Sequence, residues 1–167
     1  MRQAGSHATV SFDPNIRPFV TPDRERVLPR VESEVAAAHV VKASEEDLAW
    51  LYPGRAIEDT LRAWAALGPR FCIATLGSEG ALAYLGTERL EVAPRRVAVV
   101  DTVGAGDSFM SSLLFAMDRD GALGAGAARP TREKLAAWTG FAVRASAITC
   151  TRKGSNPPTL AEVDATN

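Results

Sequence analysis

The chain has 167 residues and a mass of 17.8 kDa, with 46% apolar and 23% charged side chains, a globular composition far from that of a disordered segment. Nineteen basic and 20 acidic residues leave a formal net charge of −1, which excludes a polybasic nucleic-acid arm or an acidic tail as the main business of the chain. No stretch approaches the roughly 20 apolar residues of a membrane span, the first seven residues lack the apolar core of a signal peptide, and two cysteines in apolar surroundings, Cys72 and Cys150, read as reduced thiols of a cytoplasmic protein.

Residues 8–12 form a short β-favouring run closed by Asp13-Pro14-Asn15, a strand ending in a turn. A helical pattern over 25–38 follows, then the brief apolar run His39-Val40-Val41. Ser44 followed by Glu45, Glu46 and Asp47 is a helix start, a capping hydroxyl with acids where the helix dipole is positive. A second amphipathic stretch, 57–67, stops at Gly68-Pro69. The apolar run 71–76 predicts a strand buried on both faces of a parallel sheet, and 81–85 and 89–92 predict two more around a turn at Gly86-Thr87. A buried strand is expected at 97–100, leading into Asp101-Thr102-Val103-Gly104-Ala105-Gly106-Asp107 and a helix over 108–117. After a loop at 121–129, Thr131 with Glu133 opens a long helix to about Ala147, and the tail carries Gly154 and two prolines. This alternation predicts an α/β fold, a mostly parallel sheet flanked by helices, in one unit or part of one.

The segment from Asp101 to Asp107 carries the sharpest chemical signal. Small residues let backbone N–H groups approach an anion, and a helix starting there aims its unpaired N–H groups and positive dipole end at the same point. Asp107 at that mouth is placed to accept a proton from a hydroxyl attacking a phosphoryl group. A plain strand-to-helix turn with a helix-starting acid is the structural alternative. The chain has no Walker-type loop, and Phe109 stands where a dinucleotide loop needs its third glycine. Ser78 follows Gly77 directly, unlike a nucleophile elbow. A dinucleotide-dependent oxidoreductase is the weakest option.

The 101–107 segment resembles the C-terminal motif of the ribokinase-like (PfkB) carbohydrate kinases. Thr75-Leu76-Gly77-Ser78-Glu79-Gly80 is similar to the family's nucleotide strand and turn, Lys42-Ala43-Ser44-Glu45 to its Asn-x-x-Glu element, and Thr151-Arg152-Lys153-Gly154 to its C-terminal segment. Phe12-Asp13-Pro14-Asn15-Ile16-Arg17-Pro18 resembles the fructokinase branch and its relatives acting on 2-keto-3-deoxygluconate. The resemblance covers residues 1–167 but only the C-terminal half of a ribokinase-like fold, without the N-terminal half and its lid. The strand at 8–12 would then be left with an open sheet edge and an exposed apolar face.

What the resemblance implies is an ATP-dependent sugar kinase fragment that transfers the γ-phosphoryl group to a sugar such as fructose. A 2-keto-3-deoxygluconate kinase and a non-catalytic adenine-nucleotide-binding half-chain are the alternatives. Asp107 would be the catalytic base, and the amides of Gly104, Ala105 and Gly106 would form the anion hole. Lys42, Thr75, Gly77, Ser78, Gly80, Gly106 and Val143 would hold ATP, with Val143 in the adenine pocket; Asn15 and Arg17 would face the sugar or phosphate. Glu45 would order Mg²⁺ through its waters. Asp101 and the carbonyls of Val103, Thr149, Arg152 and Gly154 would hold a monovalent cation, K⁺. Lys42 stands where many relatives have asparagine, and a lysine there would reach a phosphate as a point charge. The expected partners are sugar and ATP, with neither nucleic acid nor membrane; a homodimer is implied for a complete parent chain. Without a lid to exclude water, the chain alone is expected to show little or no turnover.

Overall fold

The computed structural model describes residues 7–20, 22–124 and 126–166. The chain divides into two compact units. The first takes Met1–Leu76, Leu82–Leu90 and Gly124–Arg129; the second takes Gly77–Ala81, Glu91–Leu123 and Pro130–Asn167.

The first unit is built on a sheet. Strands β1 (Ser11–Phe12), β2 (Val40–Ser44), β3 (Phe71–Thr75), β4 (Ala81–Leu85) and β5 (Glu88–Val92) lie in that order. β1, β2 and β3 run parallel, with Phe12 opposite Val41 and Ser44 opposite Thr75. β4 and β5 are joined by two residues, a connection that can only return the chain antiparallel. Helices α1 (Arg24–Ala37), α2 (Glu45–Leu51) and α3 (Ile57–Ala65) fill the crossovers, which is what parallel pairing requires. Val35, Val41, Leu61, Trp64, Cys72 and Tyr84 are among the core they enclose. α1 is capped by Asp23, whose carboxylate accepts from the Arg26 amide. α2 starts in a capping box, with Ser44 and Asp47 exchanging side chain-to-backbone bonds.

The second unit is dominated by α4 (Ala105–Arg119) and α5 (Arg132–Cys150), with α6 (Leu160–Asp164) after them. α4 and α5 pack antiparallel. At one end Asp120 accepts from Lys134 Nζ at 2.7 Å and Trp138 Nε1 at 2.9 Å. At the other, Ser146 Oγ donates to the Ala105 carbonyl at 3.0 Å, and the buried hydroxyls of Thr149 and Ser108 lie 2.8 Å apart. Phe109, Leu113, Leu135 and Ala142 are buried in this pair of helices.

Two sequence expectations change, one of them the strand expected at 8–12, of which only Ser11–Phe12 forms. Residues 97–100 form no strand: Val99 is 63% and Val100 64% exposed, and the Val100 and Asp101 amides both donate to the Cys150 carbonyl. An apolar run becomes a strand only when an edge is present to pair it, and here the end of α5 takes its donors instead. In the tail, Thr159 and Glu162 close a capping box that starts α6.

Candidate active site

The carboxyl ends of parallel strands, where α/β proteins place their ligands, collect one set of candidate residues in the first unit. β1 runs into Asp13, Asn15 and Arg17; β2 carries Lys42 and hands over to Glu45, the first residue of α2; β3 ends at Thr75. Asn15 and Arg17 line a cleft of about 460 Å³, together with Phe12, Val27, Arg30 and Glu34. Lys42 is 3% exposed, and its ammonium is paired with Asp13 at 2.6 Å. The lysine read as a phosphate contact is therefore engaged by a carboxylate in this structure. Thr75 Oγ1 reaches the Ala43 carbonyl at 3.5 Å, and Glu45 is half-buried.

In the second unit, Gly77–Glu79 form one turn of 3-10 helix that exposes Gly77 and Ser78. Gly80, with φ +88°, lies so close to β5 that a Cβ would come within 2.2 Å of the Val92 carbonyl. Gly104 is the N-cap of α4, in the left-handed region at φ 80° and ψ 0°. No side chain caps this 15-residue helix, so its first turn keeps donors directed outward with the positive end of the dipole. Gly106 and the exposed Asp107 are its second and third residues. The Ala105 amide, expected in the anion hole, donates to the Thr102 carbonyl at 3.1 Å here.

Asp101 organises the residues expected around a monovalent cation. Its carboxylate accepts from the Val103 amide at 3.1 Å and the Gly154 amide at 2.8 Å. These bonds favour the charged form and hold the carboxyl below the usual range. The donors proposed beside it are all oxygens, the chemistry a hard cation prefers, so the residues fit. Thr149 is fully buried and its carbonyl already accepts from the Arg152 amide at 3.1 Å. Among the described residues, no three His, Cys, Asp or Glu side chains gather into a metal site; a single carboxylate such as Glu45 suits a magnesium ion that keeps its waters and rides on a phosphate. Val143 is buried on α5.

The structure thus brings Asn15, Arg17, Lys42, Glu45 and Thr75 to one strand rim, and Asp101, Val103 and Gly154 onto one carboxylate. Three residues were missed as site-builders. The sequence offers Asp13 as a turn acid and a member of the Phe12–Pro18 segment, and Asp47 as a first-turn acid, without a partner for either. Ser155, whose Oγ would stand 2.2 Å from a Cβ at Gly104, carried no local signal.

Among known proteins, the profile of the pfkB family carbohydrate kinases matches residues 1–162. The chain is 33% identical over 165 residues to fructokinase-1 of Oryza sativa subsp. japonica, covering 98% of this chain and 49% of the relative. It is 36% identical over 166 residues to probable fructokinase-4 of Arabidopsis thaliana, at 97% and 48% coverage. Of solved structures, fructokinase with bound ATP from Xylella fastidiosa superposes with a TM-score of 0.85 at 28% identity, covering 98% of this chain and 52% of that one. Fructokinase from Vibrio cholerae O395, bound to fructose, ADP and calcium, gives 0.79 at 31%, over 94% and 50%. The chain spans about half the length of these relatives. With a ribokinase-like sheet in place and the family profile matching residues 1–162, the chain belongs to the pfkB family of carbohydrate kinases.

Proposed function

We propose that this chain is the nucleotide-binding and catalytic part, 1–167, of an ATP-dependent sugar kinase acting on fructose or a similar sugar. The observation that carries this reading is the start of α4: a left-handed glycine, no capping side chain, and Asp107 within the first turn. Asp107 takes the proton of the attacking sugar hydroxyl, so that the oxygen adds to the γ-phosphorus as the bond to the β-phosphate oxygen breaks. The amides of Gly104, Ala105 and Gly106 stabilise the charge on the transferring group. For Ala105 this requires its N–H to leave the Thr102 carbonyl. Thr75, Gly77, Ser78 and Gly80 line the phosphates and ribose, Val143 the adenine, and Asn15 and Arg17 the acceptor. Mg²⁺ bound with ATP would neutralise phosphate charge, and Glu45 would orient its waters. Asp101 and the carbonyls of Val103, Thr149, Arg152 and Gly154 would hold K⁺.

Support comes from relatives that are named fructokinases and from neighbours described with ATP, or with fructose and ADP. Mg·ATP at a hundred times its dissociation constant should add about 2.7 kcal/mol of stability, seen as a raised melting temperature; no shift at millimolar Mg·ATP would overturn the reading. In a complete parent chain with fructose as acceptor, Asp107→Ala should lower turnover at least a hundredfold at unchanged ATP affinity. An equal loss of ATP affinity would make Asp107 structural.

A further inference from the structure

Asn15 is the one described non-glycine residue with a positive φ, 42°, a conformation that asparagine enters more readily than most side chains and that hydrogen bonds from its own amide and the next one fix here. Two carboxylates hold it, that of part-exposed Asp13 and that of buried Asp47. On one side, Asp13 Oδ1 accepts from the Asn15 amide at 3.1 Å while its Oδ2 meets Lys42 Nζ at 2.6 Å. On the other, the Ile16 amide donates to Asp47 Oδ1 at 2.7 Å. The second oxygen of Asp47 accepts from the Ser44 amide at 3.0 Å, and so belongs to the box that starts α2. Lys42 lies in β2, three residues before Glu45. The loop leaving β1 is therefore tied at two successive amides, those of Asn15 and Ile16, to the strand and helix start that carry Glu45.

The geometry points to Lys42 and Asp47 as positioning residues for the acceptor side of the site: through Asp13 and the Ile16 amide they clamp the Asn15–Arg17 loop in the wall of the 460 Å³ cleft. This rests on the sugar-kinase reading only for what the cleft receives. Lys42 then serves the sugar and not the phosphate. Its burial argues the same way. An ammonium 3% exposed and already paired at 2.6 Å would have to abandon Asp13, leaving a carboxylate without its cation, in order to reach a ligand phosphate. A carboxylate shared between a loop and a helix cap also couples the two, so that movement of the loop is felt at the start of α2.

The test is amide exchange by NMR on the full chain, with Mg·ATP titration alongside. In Lys42→Met and in Asp13→Asn, exchange at the Ile16 amide should accelerate at least tenfold, and the Asn15 Cα shift should leave its left-handed value. Val41, Ala43 and Cys72 in the neighbouring strands should exchange as in the wild type, which a general loss of stability would not permit. The dissociation constant for Mg·ATP should stay within twofold. Unchanged Ile16 exchange in either variant overturns the clamp. Tenfold weaker Mg·ATP binding in Lys42→Met, but not in Asp13→Asn, overturns the acceptor-side assignment and returns Lys42 to the phosphate. Should Lys42→Met not fold, Asp13→Asn decides, because its carboxylate lies nearer solvent at 20% exposure. A wild-type chain that fails to bind Mg·ATP refutes the kinase reading alone; the Ile16 amide still decides the clamp.

Discussion

Gly104→Ala tests whether the start of α4 is as constrained as it looks. Two costs add. An L-residue held in the left-handed region, at φ 80°, loses about 1–2 kcal/mol relative to glycine. The added methyl would also meet Ser155 Oγ at 2.2 Å, its Cβ at 2.8 Å and its Cα at 3.1 Å. Rotation of the serine relieves the first of these but not the other two, so the 151–155 segment has to move, at about 1–2 kcal/mol, the lower part of the range for overpacking. The sum is about 2–4 kcal/mol. In a protein of this size each kcal/mol is worth about 2–4 °C, so the melting temperature should fall by about 4–16 °C, read by far-ultraviolet circular dichroism. Gly104→Ala/Ser155→Gly, compared with Ser155→Gly alone, removes the Cβ and Oγ contacts and keeps the backbone strain; about half of the loss should return. A melting temperature for Gly104→Ala within 2 °C of wild type would refute the reasoning, as would a double variant no better than the single.

Stability should fall as the pH drops below about 6.5, because His39 Nδ1 accepts from the Val10 amide at 3.0 Å and must stay neutral to do so. Burial first, and then Arg70, lower its pKa. The unfolded chain therefore takes up the proton first, and the contribution is lost as the pH falls from the ordinary histidine value through the lowered one; His39→Asn should flatten this part of a melting-temperature profile, and an unchanged profile would dismiss the bond as a determinant. Thiol titration should separate the cysteines. Burial pushes Cys72 up to about 12, so it should stay unlabelled by iodoacetamide at pH 8 until the protein unfolds, whereas half-buried Cys150 should label slowly in the native state; equal rates would contradict the core around β3.

Local chemistry made most elements legible. Ser44 and Thr131 were readable as caps because a hydroxyl followed by an acid three or two residues on is a short-range signal, and both cap their helices. The β4–β5 turn was readable at Gly86-Thr87, and 71–76 as a buried strand because no charged residue interrupts it and Phe71 to Ala74 are all apolar. Long-range pairing was not. Val97, Ala98, Val99 and Val100 have strand-like side chains, yet whether an edge waits for them is a property of distant residues. Asp13 and Lys42 stand 29 residues apart, and no periodicity links them; only the register of β1 on β2 brings them together. The capping box of α6 was legible in Thr159 and Glu162 but was hidden by the prolines before it.

The sheet ends on two strands that discourage recruitment in different ways. β1 has only two residues, so it offers an incoming chain little main chain to pair with, and β5 presents Glu88, Arg89 and Glu91 along its length. Short edges and charged edges are both known brakes on templated strand addition. In this chain both edges thus disfavour lateral growth of the sheet, and any self-association on concentration should be amorphous, arising from exposed valines such as Val99 and Val100, reversible on dilution and silent to dyes that report cross-β order.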